Sequence, residues 1–130
     1  MPKTVQAKSH EFNQKQRKAI AERDNNQCIF CNMHYHMAKA TWNDLQIDGI
    51  MHYIPRSRNG LGIEQNGAIG CKWHHRMFDN GSSGRRDEMQ VLFQRYLQSH
   101  YKDWDESKLI YYKWSFLEEV NQSAGTENSK

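Results

Sequence analysis

Cys28-Ile29-Phe30-Cys31 opens the segment that decides the fold, and Cys71-Lys72-Trp73-His74 closes it. Each stretch carries two sulfur or nitrogen donors separated by two residues. A two-residue spacer lets both side chains of a pair reach one ion, and zinc prefers four such ligands in a tetrahedron. The pattern therefore predicts a closed structural zinc site with four protein ligands: Cys28, Cys31, Cys71 and His74.

The cysteines also admit roles other than zinc binding. A single Cys-x-x-Cys can be redox-active or accidental, but the second pair favours zinc. The chain has three cysteines, and an odd number argues against a framework of disulfides. The fourth ligand is open, because His75 adjoins His74 while His34 and His36 lie near the first pair. We choose His74 because its spacing from Cys71 repeats that of the first pair.

Composition sets the scale of the molecule. The 130 residues fit one domain, and their hydrophobic fraction of 37% is below the roughly 45–50% usual for globular domains. A core with so few apolar residues usually needs additional stabilisation, such as a bound metal ion. The sequence has no apolar run near the ~20 residues of a membrane helix and no signal peptide after Met1. We therefore expect a soluble, cytoplasmic protein with no membrane partner.

Periodicity and turn residues predict an α+β domain over residues 11–120. A flexible basic arm, 1–10, is expected before it and a disordered tail, 121–130, after it. Residues 32–46 are interpreted as largely loop. Leu109 lies near the start of the last predicted helix, whose apolar positions recur at helical spacing. The expected elements are a helix over 11–23, strands over 47–54 and 67–71, a helix over 73–80 that stops at Gly81, and two amphipathic helices within 87–120.

Further motifs lie between and around the two ligand pairs. His52 precedes Ile54-Pro55-Arg56-Ser57, a loop then reads Gly60-Leu61-Gly62-Ile63-Glu64-Gln65-Asn66, and the chain continues through His75-Arg76-Met77-Phe78-Asp79-Asn80-Gly81. These residues resemble the HNH endonuclease family, specifically its small zinc-containing type that is common in bacteriophage genomes. The resemblance is strong over the core, 28–81, and much less specific in the aromatic C-terminal part.

The resemblance implies a ββα-metal core with a zinc knuckle, one N-terminal helix and two C-terminal helices. His52 would then be the general base, since a neutral imidazole suits proton abstraction near pH 7. Asn66 would tie the hairpin loop together and hold His52 in place. His75 and Asp79, four residues apart on one helix face, would hold a catalytic divalent ion, Mg²⁺ or Mn²⁺, with Ni²⁺ or Zn²⁺ as alternatives.

Double-stranded DNA is the partner that the resemblance implies, gripped through its phosphates. One position departs from the family pattern: Met51 stands where Asp, Glu or His often supplies a metal ligand. A thioether suits hard ions poorly. The ion would be coordinated by His75 and Asp79 with phosphate and water, or Asp48 would supply a further ligand. The residues expected to contact phosphates are Arg56, Arg58, Lys72 and Arg76.

The sequence thus predicts a metal-dependent DNA endonuclease that nicks or cuts both strands, in phage DNA processing or packaging and so in the host cytoplasm. Two rival hypotheses stay open. One is a zinc-stabilised DNA-binding module without catalysis; the other is an adaptor that binds phage packaging proteins through its aromatic C-terminal helices. The plain alternatives are also retained, that His52 is an ordinary half-buried strand residue and that Asp79 merely pairs with a helix end or an arginine. Cleavage specificity and oligomeric state are left open.

Overall fold

The structure, a computed structural model, describes residues 9–81 and 84–112. Its fold is α+β, as predicted, with one two-stranded antiparallel sheet in this described part. Within the same residues, no helix has the length and apolar character needed to cross a membrane. The helices and strands are α1 (Gln14–Asp24), α2 (Ile29–Asn32), β1 (Ile47–His52), β2 (Gly67–Cys71), α3 (Lys72–Asn80) and α4 (Arg86–His100).

The two strands form a hairpin whose register places His52 opposite Gly67 and Met51 opposite Ala68. The register shifts between Ile47 and Gly49, so Asp48 is the additional residue of a β-bulge. A bulge bends the strand and re-aims the side chain at that point. The predicted strand over 67–71 is confirmed, whereas the strand predicted over 47–54 ends at His52.

Alternation along β1 separates a core face from a second face. Met51 is fully buried in the main core, and a Cβ atom on Gly70 would lie 2.6 Å from its sulfur. The glycine therefore makes room for the methionine across the hairpin. His52 points to the opposite face, where its ring centroid lies 4.5 Å from that of Phe12. Met51 is thus a core residue, which explains an apolar side chain at this position.

The main core lies between the hairpin and the helices that follow it. Three fully buried rings meet there, with centroids 6.1 Å apart for Phe30 and Phe93 and 5.5 Å apart for Phe78 and Phe93. Phe30 belongs to α2, Phe78 to α3 and Phe93 to α4, so the three rings join these helices. Met89, Phe93 and Leu97 are the buried residues of α4, and their helical spacing is the one the sequence predicted.

A buried ion pair attaches α1 to the hairpin and to α4. Arg23 donates to both carboxylate oxygens of Asp24, at 2.7 and 3.0 Å, and to the carbonyl of Gly67 at 2.6 Å. Asp24 also accepts from the backbone N–H of Ile69 at 2.9 Å and from the hydroxyl of Tyr96. These hydrogen bonds offset the desolvation of the two buried charges.

The chain ends differ from the prediction where they are described. The sequence predicts a flexible arm that includes His10, yet His10 is buried and its Nδ1 lies 2.6 Å from the carbonyl oxygen of Gly60. The helix predicted from Leu109 does not begin there, because Glu106–Leu109 forms a 3₁₀ turn and Ile110 pairs with Gly60 as an isolated bridge. The rest of that helix, the arm before residue 9 and the tail over 121–130 lie outside the described residues.

We predict that Asp24→Ala lowers the free energy of unfolding by about 3–5 kcal/mol, because it leaves Arg23 buried without its partner charge. Urea denaturation followed by circular dichroism measures this. The matched control is Glu22→Ala on the exposed side of the same helix, which should change the unfolding free energy by less than about 0.5 kcal/mol. Equal midpoints for Asp24→Ala and wild type would show that the pair does not attach α1.

Candidate functional site

Four donor side chains converge at the junction of α2, β2 and α3. The Nδ1 atom of His74 lies 3.6 Å from the sulfur of Cys28, 3.5 Å from that of Cys31 and 3.3 Å from that of Cys71. All four donor atoms lie within 4.8 Å of one another. Zinc bonds of about 2.3 Å to sulfur and 2.0–2.1 Å to nitrogen place tetrahedral ligands about 3.5–3.8 Å apart. The cluster could therefore hold a structural metal, and zinc fits its donors.

Hydrogen bonds around the cluster hold the donors in position. Cys71 begins α3 as its N-cap, and its sulfur accepts from the backbone N–H of His74 at 3.3 Å. The Nε2 atom of His74 lies 2.5 Å from the carbonyl oxygen of Tyr35. A carbonyl can only accept, so this nitrogen carries the hydrogen and Nδ1 is left to face the sulfurs. Of the histidines considered from the sequence, His74 is the one that completes the cluster.

The thiols cannot all ionise through protein contacts alone. The hydrogen bond from Cys28 lowers the pKa of Cys71 to about 3. That same bond, together with burial, raises the pKa of Cys28, and burial raises the pKa of Cys31 to about 11. A divalent cation at the centre would stabilise all three thiolates at once, as a structural zinc site requires.

On the other side of α3, a cleft of about 870 Å³ opens between the hairpin and the N-terminal segment. It brings together three of the predicted site residues, His52, His75 and Asp79. His52 comes from the end of β1, and the other two come from successive turns of α3. Arg17, Arg56 and Arg86 also line the cleft, together with the acidic Glu11.

His52 is held by the N-terminal segment. Its Nε2 atom lies 2.9 Å from the carbonyl oxygen of His10, which makes Nε2 the protonated nitrogen and Nδ1 the one able to accept a proton. Burial lowers the pKa of His52 and the charge of Arg56 acts in the same direction, whereas the hydrogen bond to the His10 carbonyl and the carboxylate of Asp79 oppose it. The imidazole is therefore neutral at pH 7.

Asn66 ties the hairpin loop together, in the way that the resemblance implied. Its side chain is fully buried, accepts from the N–H of Ile54 at 2.8 Å, and donates to the carbonyls of Ile54 at 3.1 Å and Leu61 at 2.8 Å. This contact replaces the strand pairing that the sequence predicted for Ile54. The loop is closed immediately after His52, which fixes where β1 ends.

His75 lies between two carboxylates. Its Nε2 atom is 3.2 Å from Asp79 and its Nδ1 atom is 2.9 Å from Asp48, the bulge residue. The contact with Asp48 lacks hydrogen-bond alignment, so Nδ1 is a buried polar atom without a hydrogen-bond partner. The ion pair with Asp79 raises the pKa of His75 and lowers that of Asp79. Asp48 thus contacts His75 through the other ring nitrogen from Asp79, and the alternative that it supplies a metal ligand stays a prediction.

The donors at His75 have the chemistry of a divalent-metal site, although fewer of them converge than in the cysteine cluster. The described residues contain one convergent group of three or more His, Cys or carboxylate donors, and it is the cysteine cluster. At the cleft, the imidazole Nε2 and the carboxylate of Asp79 are two donors at 3.2 Å, close to the separation of about 3 Å between neighbouring ligands of an octahedral ion.

The predicted phosphate-binding residues are dispersed. Arg56 lines the cleft, whereas Lys72 and Arg76 line a smaller cavity of about 310 Å³ that shares His75 and Asp79 with it. Arg76 also pairs with Asp44 at 3.3 Å. Arg58 lines neither of these two cavities.

Among the cleft residues that sequence reasoning missed are His10, Arg17 and Arg86. Arg17 donates to the carbonyl of Phe12 at 3.0 Å, and the guanidinium carbon of Arg86 lies 4.4 Å from the centre of the Phe78 ring. None belongs to a local motif. Only the folded N-terminal segment and the start of α4 bring them to the cleft.

Comparisons with known protein families, with curated proteins and with solved structures gave no match to this chain.

We predict that Cys28→Ser removes the bound zinc and unfolds the domain. Apparent zinc-binding energies of about 10–16 kcal/mol equal or exceed the total stability of about 5–15 kcal/mol that a domain has. Metal content by mass spectrometry and far-UV circular dichroism measure the two effects. His34→Ala is the control: this exposed histidine is outside the cluster, so the variant should keep its zinc. A folded, zinc-loaded Cys28→Ser protein would contradict the assignment.

Proposed function

We propose that this protein is a metal-dependent DNA endonuclease of the HNH type. The hairpin β1–β2 and helix α3 would form its ββα-metal core. One observation carries the proposal: His52 on the hairpin and His75 and Asp79 on the helix line one cleft. A general base and a pair of metal donors are the two parts that hydrolysis of a phosphodiester needs.

His52 would act as the general base through Nδ1. The bond from its Nε2–H to the His10 carbonyl orients the ring and makes Nδ1 the accepting nitrogen. Because burial lowers its pKa, the imidazole is unprotonated at neutral pH and ready to take a proton from an attacking water. Asn66 would support this geometry by closing the loop that follows β1.

His75 and Asp79 would hold the catalytic ion, with Mg²⁺ or Mn²⁺ favoured and Ni²⁺ or Zn²⁺ as alternatives. A divalent cation there would stabilise the charge that develops on the phosphate and on the departing 3′ oxygen. Asp48 lies 2.9 Å from Nδ1, and its negative charge would favour a ring whose Nδ1 carries the hydrogen and whose Nε2 is left for the ion. With Met51 buried in the core, phosphate and water would complete the coordination.

DNA would enter the cleft with its backbone between the two histidines. Arg56 and Arg86 line that cleft, and Lys72 and Arg76 lie beside it on α3. Such contacts supply affinity that does not depend on sequence and weakens with salt. The family resemblance extends the proposal to DNA processing or packaging in a phage-infected cell.

A second candidate function is a zinc-stabilised DNA-binding module without catalysis. One observation favours it: Met51 is fully buried in the core. The cleft is then left with two metal donors, His75 and Asp79. The arginines of the cleft would then bind phosphate without cutting. The adaptor hypothesis draws no support of this kind, since the aromatic segment over 113–120 lies outside the described residues.

We predict that the purified protein nicks supercoiled plasmid with Mg²⁺ or Mn²⁺ and not with EDTA, and that His52→Ala lowers the rate by about 10²–10⁴-fold, the usual contribution of a general base. Gel electrophoresis of relaxed and linear forms measures this. His34→Ala is the matched control, because it removes an exposed histidine that does not line the cleft. Wild-type protein that binds DNA without cutting under any of these ions would favour the DNA-binding module.

The pH profile gives a second prediction. A base must be unprotonated, and burial lowers the pKa of His52 from 6.5. The nicking rate at saturating metal should therefore fall to half of its plateau only below pH 6.5, and decline about tenfold per unit at still lower pH. Single-turnover rates between about pH 5 and 9 test this, with unfolding monitored in parallel. A decline that begins well above pH 6.5 would mean that His52 is not the base.

A further inference from the structure

We propose that a second cavity, on the other side of α3 from the cleft, binds an unpaired nucleotide of the DNA. This inference rests on the proposed function and extends it to a substrate class: DNA in which a nucleotide near the scissile phosphate is outside the helical stack. The cavity has a volume of about 450 Å³, within the range of small-molecule sites.

The lining of this cavity combines an aromatic surface with cationic side chains. Trp73 and Met77 contribute the apolar part, while Lys39, Arg76 and Arg85 contribute positive charge. None of the described residues that line it is acidic, although Arg76 at its border pairs with Asp44. A nucleotide has the complementary chemistry, because its base stacks on indole and its phosphate is attracted to lysine and arginine.

The indole is held ready for stacking before any ligand arrives. The Nε1–H of Trp73 donates to the carbonyl oxygen of His36 at 2.8 Å, and Arg85 donates to the ring Nε2 of the same histidine at 2.8 Å. His36 adopts a left-handed backbone conformation with φ of 36°, which is strained for a residue other than glycine. These contacts fix the ring and one of the cations in place.

Helix α3 places this cavity next to the proposed catalytic residues. His74 and Phe78 face the core, His75 and Asp79 face the cleft, and Trp73 and Met77 face the second cavity. The smaller cavity that Lys72 lines is between them. It shares Arg76 with the second cavity and His75 with the cleft. A helix with its side chains is about 10–12 Å across, which sets the approximate separation of the two sites.

A base inside a duplex has both faces covered by its neighbours, so it cannot stack on an indole within a cavity. Proteins that bind a base in a pocket take it out of the stack or use single strands, and the cost is lowest where the nucleotide is already unpaired. We therefore expect gapped, branched or otherwise locally single-stranded DNA to be bound in preference to a perfect duplex.

The test uses the zinc-loaded full chain and two fluorescein-labelled probes, a short thymidine oligonucleotide and a matched oligomer of abasic sugar-phosphates. Fluorescence anisotropy should show that wild type binds the oligonucleotide about 5- to 150-fold more tightly than the abasic oligomer, as stacking of one base predicts. Trp73→Leu should remove this difference and Trp73→Phe should retain most of it. Lys39→Ala, at an exposed position, should reduce the salt slope of log Kd by about 0.7.

The matched control is Trp42→Ala, which removes an indole that is 82% exposed and does not line the cavity. It should leave both affinities unchanged. Equal affinity of wild type for the two oligomers, or loss of binding in Trp42→Ala but not in Trp73→Leu, would overturn the inference. Plasmid nicking measured on the same samples reports separately on the proposed nuclease: wild-type nicking with equal oligomer affinities would reject the nucleotide site alone, whereas base-dependent binding without nicking would reject the nuclease alone.

Discussion

The rest of the structure depends on the convergence of three cysteines and one histidine on a single point. Cys28 and Cys31 bring the short helix α2 to the start of α3, where Cys71 and His74 complete the set. This constraint fixes the direction in which α3 leaves the hairpin. The hairpin and the helix then bring His52 and Asp79 to the same cleft. In a chain with a hydrophobic fraction of 37%, the metal would supply stability that apolar burial alone does not.

His74 and His75 are adjacent in the sequence but belong to different sites. Successive residues of an α-helix point in different directions, so His74 faces the sulfurs while His75 faces the cleft. The carbonyl of Tyr35 orients the ring of His74, whereas the ring of His75 lies between the carboxylates of Asp79 and Asp48. The cysteine cluster, which could hold a structural metal, thereby lies on one side of the helix and the donors of the proposed catalytic site on the other.

Local patterns were sufficient to predict the four donors of the cysteine cluster and the strand over 67–71, whereas the association of His52 with His75 and Asp79 was implied by the family resemblance. The donors of the cluster come in two pairs, each with a short spacing along the chain, and the fold brings the two pairs together. The contacts that the sequence did not reveal connect distant segments: the carbonyl of His10 on His52, the guanidinium of Arg86, and the bulge that turns Asp48 toward His75. The helix predicted from Leu109 is wrong for the same reason. Ile110 pairs with the distant Gly60, and this contact overrides an apolar spacing that is typical of a helix.

The division of His74 and His75 between two sites is the central claim, and X-ray absorption at the zinc edge of the His75→Ala variant tests it most directly. We expect the same shell as in wild type, three sulfur atoms at about 2.3 Å and one nitrogen at about 2.0–2.1 Å. Loss of the nitrogen atom from that shell would mean that His75 is the fourth zinc ligand, and the proposed metal donors of the cleft would then fall with it.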